Sequence, residues 1–172
     1  MSSIMGKLIK VSIFGESHGT AIGAVIDGLP SGEAIDEAKI AEQMERRAPG
    51  RDKSATPRNE SDSPIILSGI LDGKTTGMPL AMQIVNCDTR SSDYSYLKAT
   101  PRPSHADYPA MTKYGESFDI RGSGHFSGRL TAPLCFAGAV CKQILERKGI
   151  HVGAHILSSK GVKDTSFDAV EI

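Results

Sequence analysis

The apolar residues of this chain fall into four short runs: Leu8 to Phe14 (LIKVSIF), Ala21 to Asp27 (AIGAVID), Ile65 to Leu71 (IILSGIL) and Leu80 to Val85 (LAMQIV). Runs of this length, bounded by turn-forming residues, predict strands. Gly15 and Gly28-Leu29-Pro30 close the first two, and Asp72-Gly73 joins the last two as a hairpin with a longer loop. Two further segments carry the helical period. Asp36 can cap a helix over 36–47, with Ile35 and Ile40 as a staple, Ile40, Ala41 and Met44 along one face, and Pro49-Gly50 as the stop. A second helix is expected over 130–148. Leu134, Ala137, Cys141, Ile144 and Leu145 fall on one side, Pro133 must lie in the first turn, and Gly149 ends it. His151 to Leu157 reads as a last strand. The pattern predicts an α+β fold built on antiparallel hairpins.

A chain of 172 residues has room for one domain. Aromatic residues are only 5% and Trp is absent, so the core must be aliphatic. Twenty basic residues balance twenty acidic ones, which argues against a generally basic nucleic-acid or membrane-surface protein. No stretch approaches the ~20 apolar residues of a membrane span, and the first residues hold no long apolar run of a signal peptide. Cys87, Cys135 and Cys141 are odd in number and form no C-x-x-C. A reducing, cytoplasmic setting is expected.

Asn86 to about Phe126 is polar, interrupted by Pro101, Pro103 and Pro109, and holds all four tyrosines. So long a stretch with so little periodicity predicts an ordered functional loop. Around it lie several motifs. Gly15-Glu16-Ser17-His18-Gly19 matches G-x-S-x-G, but a nucleophile elbow must open into a helix and the residues that follow are β-rich. Gly73-Lys74-Thr75 resembles the end of a P-loop, yet Ser68 stands where its first glycine belongs and a strand follows. Gly122-Ser123-Gly124 is a bare G-x-G. Arg46, Arg47, Arg51, Lys53 and Arg58 form a local cationic cluster against one acid, Asp52. A cluster of this kind can be a solvated helix end. It also suits a small polyanion, because guanidinium forks bind carboxylate or phosphate with two bonds at once. His18 and His105 both lie in Gly- or Pro-bent backbone beside charged groups, where a histidine is either structural or an acid catalyst. His151 and His155 read as surface or packing residues.

Taken together, the segments FGESHGTAIGAVIDGLPSG, RRAPGRDKSATPRNESD, SGILDGKTTGMPLAMQIVN, RPSHADYPAMTKYG and RGSGHFSGRLTA resemble chorismate synthase, in that order and at that family's spacings. The resemblance implies half of a β-α-β sandwich, with antiparallel sheets packed on helices. It also implies conversion of 5-enolpyruvylshikimate-3-phosphate to chorismate by anti-1,4-elimination of phosphate and a ring proton. Reduced FMN would be required without net redox change, with NADPH as a candidate reductant. By this similarity His18 would act as acid at the leaving phosphate, and His105 would protonate or hydrogen-bond the flavin. Arg46, Arg47, Lys53 and Arg129 would bind substrate or NADP, and His125, Phe126 and Ser127 would contact FMN. No metal is implied. The family assembles as a homotetramer.

Several positions depart from the family's pattern. His125-Phe126-Ser127-Gly128-Arg129-Leu130-Thr131 stands where Arg-Ser-Ser-Ala-Arg-Glu-Thr is usual, Lys53 replaces a commoner Arg, and Ser104 a commoner Gly. Family members are also roughly twice as long. The chain therefore reads as a single truncated domain over 1–172, an amino-terminal half that would be inactive alone and prone to self-association through an uncovered apolar face. Two rival readings stand beside it: a free-standing anion-binding module using the arginine cluster, and a serine hydrolase using Ser17.

Overall fold

The computed structural model describes residues 3–48, 62–87, 97 and 99–165. Its centre is a five-stranded, wholly antiparallel sheet. The strands are β1 (Ile4–Met5), β2 (Lys10–Gly15), β3 (Ala21–Asp27), β4 (Ile65–Ser68) and β7 (Leu80–Val85), in the order β1-β2-β3-β7-β4. Residues opposite one another in an antiparallel pair share a face. The register sets Val11 against Ile26 and Ile13 against Ala24. It then carries Ile22, Ala24 and Ile26 across to Ile84, Met82 and Leu80. These residues form one apolar face, and the last six are buried.

Helices α1 (Glu37–Arg47) and α3 (Thr131–Glu146) pack on each other, and α3 lies across β3, β2 and β7. Ile40 and Met44 from α1 and Phe136, Ala137, Val140 and Ile144 from α3 complete the core. Among the described residues, Phe136 is the one aromatic side chain in it, in keeping with the aliphatic core expected from the composition. Asp36 caps α1 by accepting from the Ala38 amide at 2.9 Å. The Asp36 backbone also ties the two helices: its N–H donates to Gln143 Oε1 (2.8 Å), and its carbonyl accepts from Gln143 Nε2 (3.1 Å). Gln143 is buried with both its amide oxygen and its amide nitrogen engaged, so it is a polar pin between two apolar faces.

The architecture is α+β, as expected, but several elements differ from the sequence reading. The run 65–71 is not one strand. It breaks at Gly69, whose φ of +87° requires glycine, and β4 pairs with β7 through a register shift. The remainder forms a separate small hairpin, β5 (Ile70–Leu71) with β6 (Lys74–Thr75), around Asp72-Gly73. The expected loop from Asn86 to Phe126 contains a third helix, α2 (Asp107–Tyr114), followed by 3₁₀ turns at Gly115–Ser117, Arg121–Phe126 and Gly128–Leu130. Helix α2 buries only Asp107 and Ala110, so it has no apolar stripe to read. Pro133 lies in the first turn of α3 as required, but Leu134 faces solvent and the buried side runs through Phe136 and Val140 instead. The expected strand 151–157 is not formed. Those residues are exposed, and only the short hairpin β8 (Ser158–Ser159) with β9 (Val162–Lys163) follows. Pro49-Gly50 lies outside the described residues.

Candidate active site

The turn after β2 carries the first histidine. Ser17, His18 and Gly19 bend the chain back into β3, closed by the Gly19 amide on the Glu16 carbonyl (3.0 Å). Asn86, just past the end of β7, holds this turn. Its Nδ2 donates to the carbonyls of Glu16 (3.0 Å) and Gly19 (2.8 Å), and its own N–H donates to the Thr20 carbonyl (3.1 Å). The Asn86 Oδ1 accepts from Arg129 Nε at 2.8 Å. One amide therefore ties the His18 turn to Arg129.

Arg129 is 3% exposed, and its Nη1 is paired with Asp62, which is fully buried. The other oxygen of Asp62 is paired with Arg47 Nη1, and Arg47 Nε donates to Thr131 Oγ1 at 3.4 Å. Two guanidiniums share one carboxylate in a buried, hydrogen-bonded frame, the kind of pairing that makes buried charge tolerable. Arg47 is 22% exposed and is the cation of the pair that reaches solvent. Arg46 is not part of this frame: it is exposed and donates to Gln43 on its own helix at 3.1 Å. Lys53 lies outside the described residues.

The His18 turn is backed by the loop Gly122-Ser123-Gly124, which runs through three successive positive φ values, 55°, 72° and 54°. The Ser17 amide donates to the Gly124 carbonyl at 3.0 Å. A methyl group at Gly122 would stand 2.7 Å from His18 Cε1 and Nδ1, so glycine is required there by close approach as well as by φ. The Arg121 guanidinium beside Asp119 holds that carboxyl below the usual carboxylate range, against the opposing effect of burial. The charge of His18 adds a smaller pull in the same direction.

Ser123 leads to the second histidine. Its hydroxyl accepts from Arg102 Nη2. Arg102 grips Asp107 with two parallel bonds, Nε to Oδ2 (2.7 Å) and Nη2 to Oδ1 (2.9 Å), and adds its backbone N–H at 3.2 Å. His105 Nδ1 lies 3.0 Å from Asp107 Oδ1. Asp107 is wholly buried at the first position of α2, and the Arg102 bonds push its pKa down from 3.8 to about 2 against the opposing effect of burial.

The remaining expected positions form a neighbouring aromatic cluster. The Phe126 ring lies 5.9 Å from Phe118, 6.4 Å from Tyr114 and 6.3 Å from His125, centre to centre. His125 and Phe126, with Met5, Ile13, Tyr114 and Leu130, line a mostly apolar cavity of ≈ 200 Å³. The His125 Nδ1–H donates to the Gly15 carbonyl (2.8 Å), and its Nε2 is 2.9 Å from Ser3 Oγ. Both ring nitrogens are thus engaged within the chain. Ser127 caps the turn leading to α3, its Oγ accepting from the Arg129 amide at 3.3 Å. Among the described residues no group of acids, histidines and cysteines could hold a metal ion.

Chorismate synthase is the family model that matches, over residues 9–171. This chain belongs to the chorismate synthase family. A chorismate synthase of Lancefieldella parvula is 45% identical over 172 residues, 99% of this chain and 45% of that protein. One of Thermococcus kodakarensis is 49% identical over 151 residues, 88% of this chain and 42% of the relative. A crystal structure of chorismate synthase superposes with a TM-score of 0.61 at 28% identity, covering 88% of this chain and 38% of that one. The chain therefore spans a little under half the length of the family members it matches.

Reading the residues one by one selected His18, His105 and Arg47, and the resemblance added Arg129, but neither showed what joins them. Asp62, Asn86, Arg102, Asp107 and Ser123 all stand inside or beside the conspicuous motifs. Their roles were hidden because their partners are distant in sequence: 67 residues for Asp62 with Arg129, 43 for Asn86 with Arg129 and 21 for Arg102 with Ser123. The hydrolase reading of Ser17 fails. Its side chain is buried and the turn opens into β3.

Proposed function

We propose that this chain supplies the substrate-anion and histidine side of a chorismate synthase site. The reaction is loss of phosphate and a ring proton from 5-enolpyruvylshikimate-3-phosphate, a lyase step serving aromatic amino-acid biosynthesis. The observation that carries the reading is the Asn86 link, which joins the turn carrying His18 to the Arg47–Asp62–Arg129 frame in a chain of this family. The substrate carries two carboxylates and a phosphate, and guanidinium groups such as that of Arg47, the member of the frame that reaches solvent, bind such groups in forked geometry. Phosphate leaves more readily when protonated, and His18 takes the role of the acid that delivers that proton. His105 serves the cofactor side as proton donor or hydrogen-bond partner.

Reduced FMN fits the described residues in part. Phe126 and its aromatic neighbours offer an apolar wall, while a ≈ 200 Å³ cavity is smaller than the ~300–1,000 Å³ of a whole small-ligand site. The residues present would hold one side of the flavin. When bound, its chemistry is to lend electron density to the substrate. NADPH as reductant and a homotetrameric assembly belong to the same proposal.

The test is a chimera in which this chain is joined to the unmatched remainder of the Thermococcus kodakarensis relative. With reduced FMN and 5-enolpyruvylshikimate-3-phosphate the chimera should form chorismate, and His18→Ala should lower kcat by ~10²-fold or more. The chain alone should give no turnover. A folded chimera that binds both ligands yet forms no chorismate would refute the reading.

A further inference from the structure

We propose that Asp107 is a positioning residue that fixes the tautomer of His105, so that His105 exchanges its proton through Nε2 alone. A carboxylate can only accept, so a ring nitrogen 3.0 Å from Asp107 Oδ1 must carry the hydrogen. That nitrogen is Nδ1, and the geometry of imidazole puts Nε2 on the opposite edge of the ring. The side chain of His105 is 31% exposed, whereas Asp107 is fully enclosed, so the free edge is the one that can meet a ligand.

The arrangement is held from behind. Arg102 saturates the carboxylate with three donors and is itself anchored on Ser123. The Ser123 loop also backs His18 through Gly122. The His105 ring is therefore referenced to the same loop that packs against the other histidine. An ion pair serving stability alone would be satisfied by Arg102 and Asp107 and would not need the imidazole. The third partner is what gives the pair a consequence for proton transfer, since orienting a histidine through one nitrogen determines what the other can do.

This inference deepens the proposed reaction and rests on it for its purpose, but its test is independent of turnover. Nitrogen NMR of the ¹⁵N-histidine-labelled 172-residue chain should be recorded near pH ~8.5, two units above the value of a free imidazole. Nδ1 of His105 should appear as a protonated, pyrrole-type nitrogen and Nε2 as a bare, pyridine-type one. In Asp107→Asn the amide can donate to Nδ1, so the assignment should reverse. An Nε2–H tautomer in the unsubstituted chain overturns the proposal whether or not the variant folds. So does an unchanged tautomer in a folded Asp107→Asn chain. In the chimera, Asp107→Asn should lower kcat by ~10-fold or more with KM for the substrate held within about threefold. A chimera that is inactive before substitution counts against the reaction and leaves the tautomer result standing.

Discussion

At the scale of single residues, the site is held by groups with little freedom. Gly122 is the sharpest case, because its φ is +55° and a Cβ there meets the His18 ring at 2.7 Å. Gly122→Ala should lower stability by ~1–2 kcal/mol, the cost of a left-handed alanine, and should shift the His18 ring resonances. Gly128→Ala, where a Cβ meets nothing within 4 Å, should do neither. A urea midpoint and one NMR spectrum of each variant check this. Asp107 sets an acid limit. Its pKa is depressed from 3.8 to about 2 in the folded chain, so its contribution is complete above about pH 4 and is lost as pH falls toward 2. The shift corresponds to roughly 2 kcal/mol. Asp107→Asn should therefore flatten the fall in stability between pH 4 and pH 2, measured by denaturant titration at each pH. An equally steep fall in the variant would show that other carboxylates govern it.

At the scale of elements, the helices differ in how plainly they are written. Helix α1 is bounded by a cap whose bond is seen at 2.9 Å, and Asp36→Ala should cost about 1 kcal/mol in denaturant unfolding. The backbone link from Asp36 to Gln143 survives that substitution. Gln143→Leu should cost more, because it removes both hydrogen bonds that a buried amide makes across the part-buried junction of α1 and α3 and leaves the Asp36 N–H without its acceptor. If the two variants proved equally mild, the pin between the helices would carry no weight. Helix α2 is nearly silent in sequence, since its one fully buried side chain besides Ala110 is a charged residue, Asp107. What keeps it in place is the Arg102–Asp107–His105 cluster, which no periodicity records.

At the scale of the whole molecule, stability is unevenly spread. Strands β3 and β7 lie in the middle of the sheet with α3 across them, and Ile22, Ala24, Ile26, Leu80 and Met82 are completely enclosed. Residues 150–165 are exposed throughout, including Ile156 at 75% and Val162 at 75%. Hydrogen exchange should therefore be slowest in β3 and β7 and fastest in the β8–β9 hairpin. Comparable protection in both regions would mean that the hairpin is covered by something other than the contacts seen here, such as a second copy of the chain. The sequence by itself determined the strands β2, β3 and β7, the limits and cap of α1, the place of α3 and the family of the chain. Those features are local: alternation, a capping aspartate and motif spacing act over a few residues. Only the tertiary structure decided that 65–71 splits at Gly69, that 107–114 is helical, that Leu134 faces outward and that 151–157 is not a strand. It alone revealed the Asp62 and Asn86 links that tie Arg47 and Arg129 to the His18 turn, and the Ser123 link that ties the His105 cluster to the loop behind that turn. Hydrogen bonds and ion pairs between residues tens of positions apart exist only once the backbone has closed, and nothing in the local pattern encodes the partner.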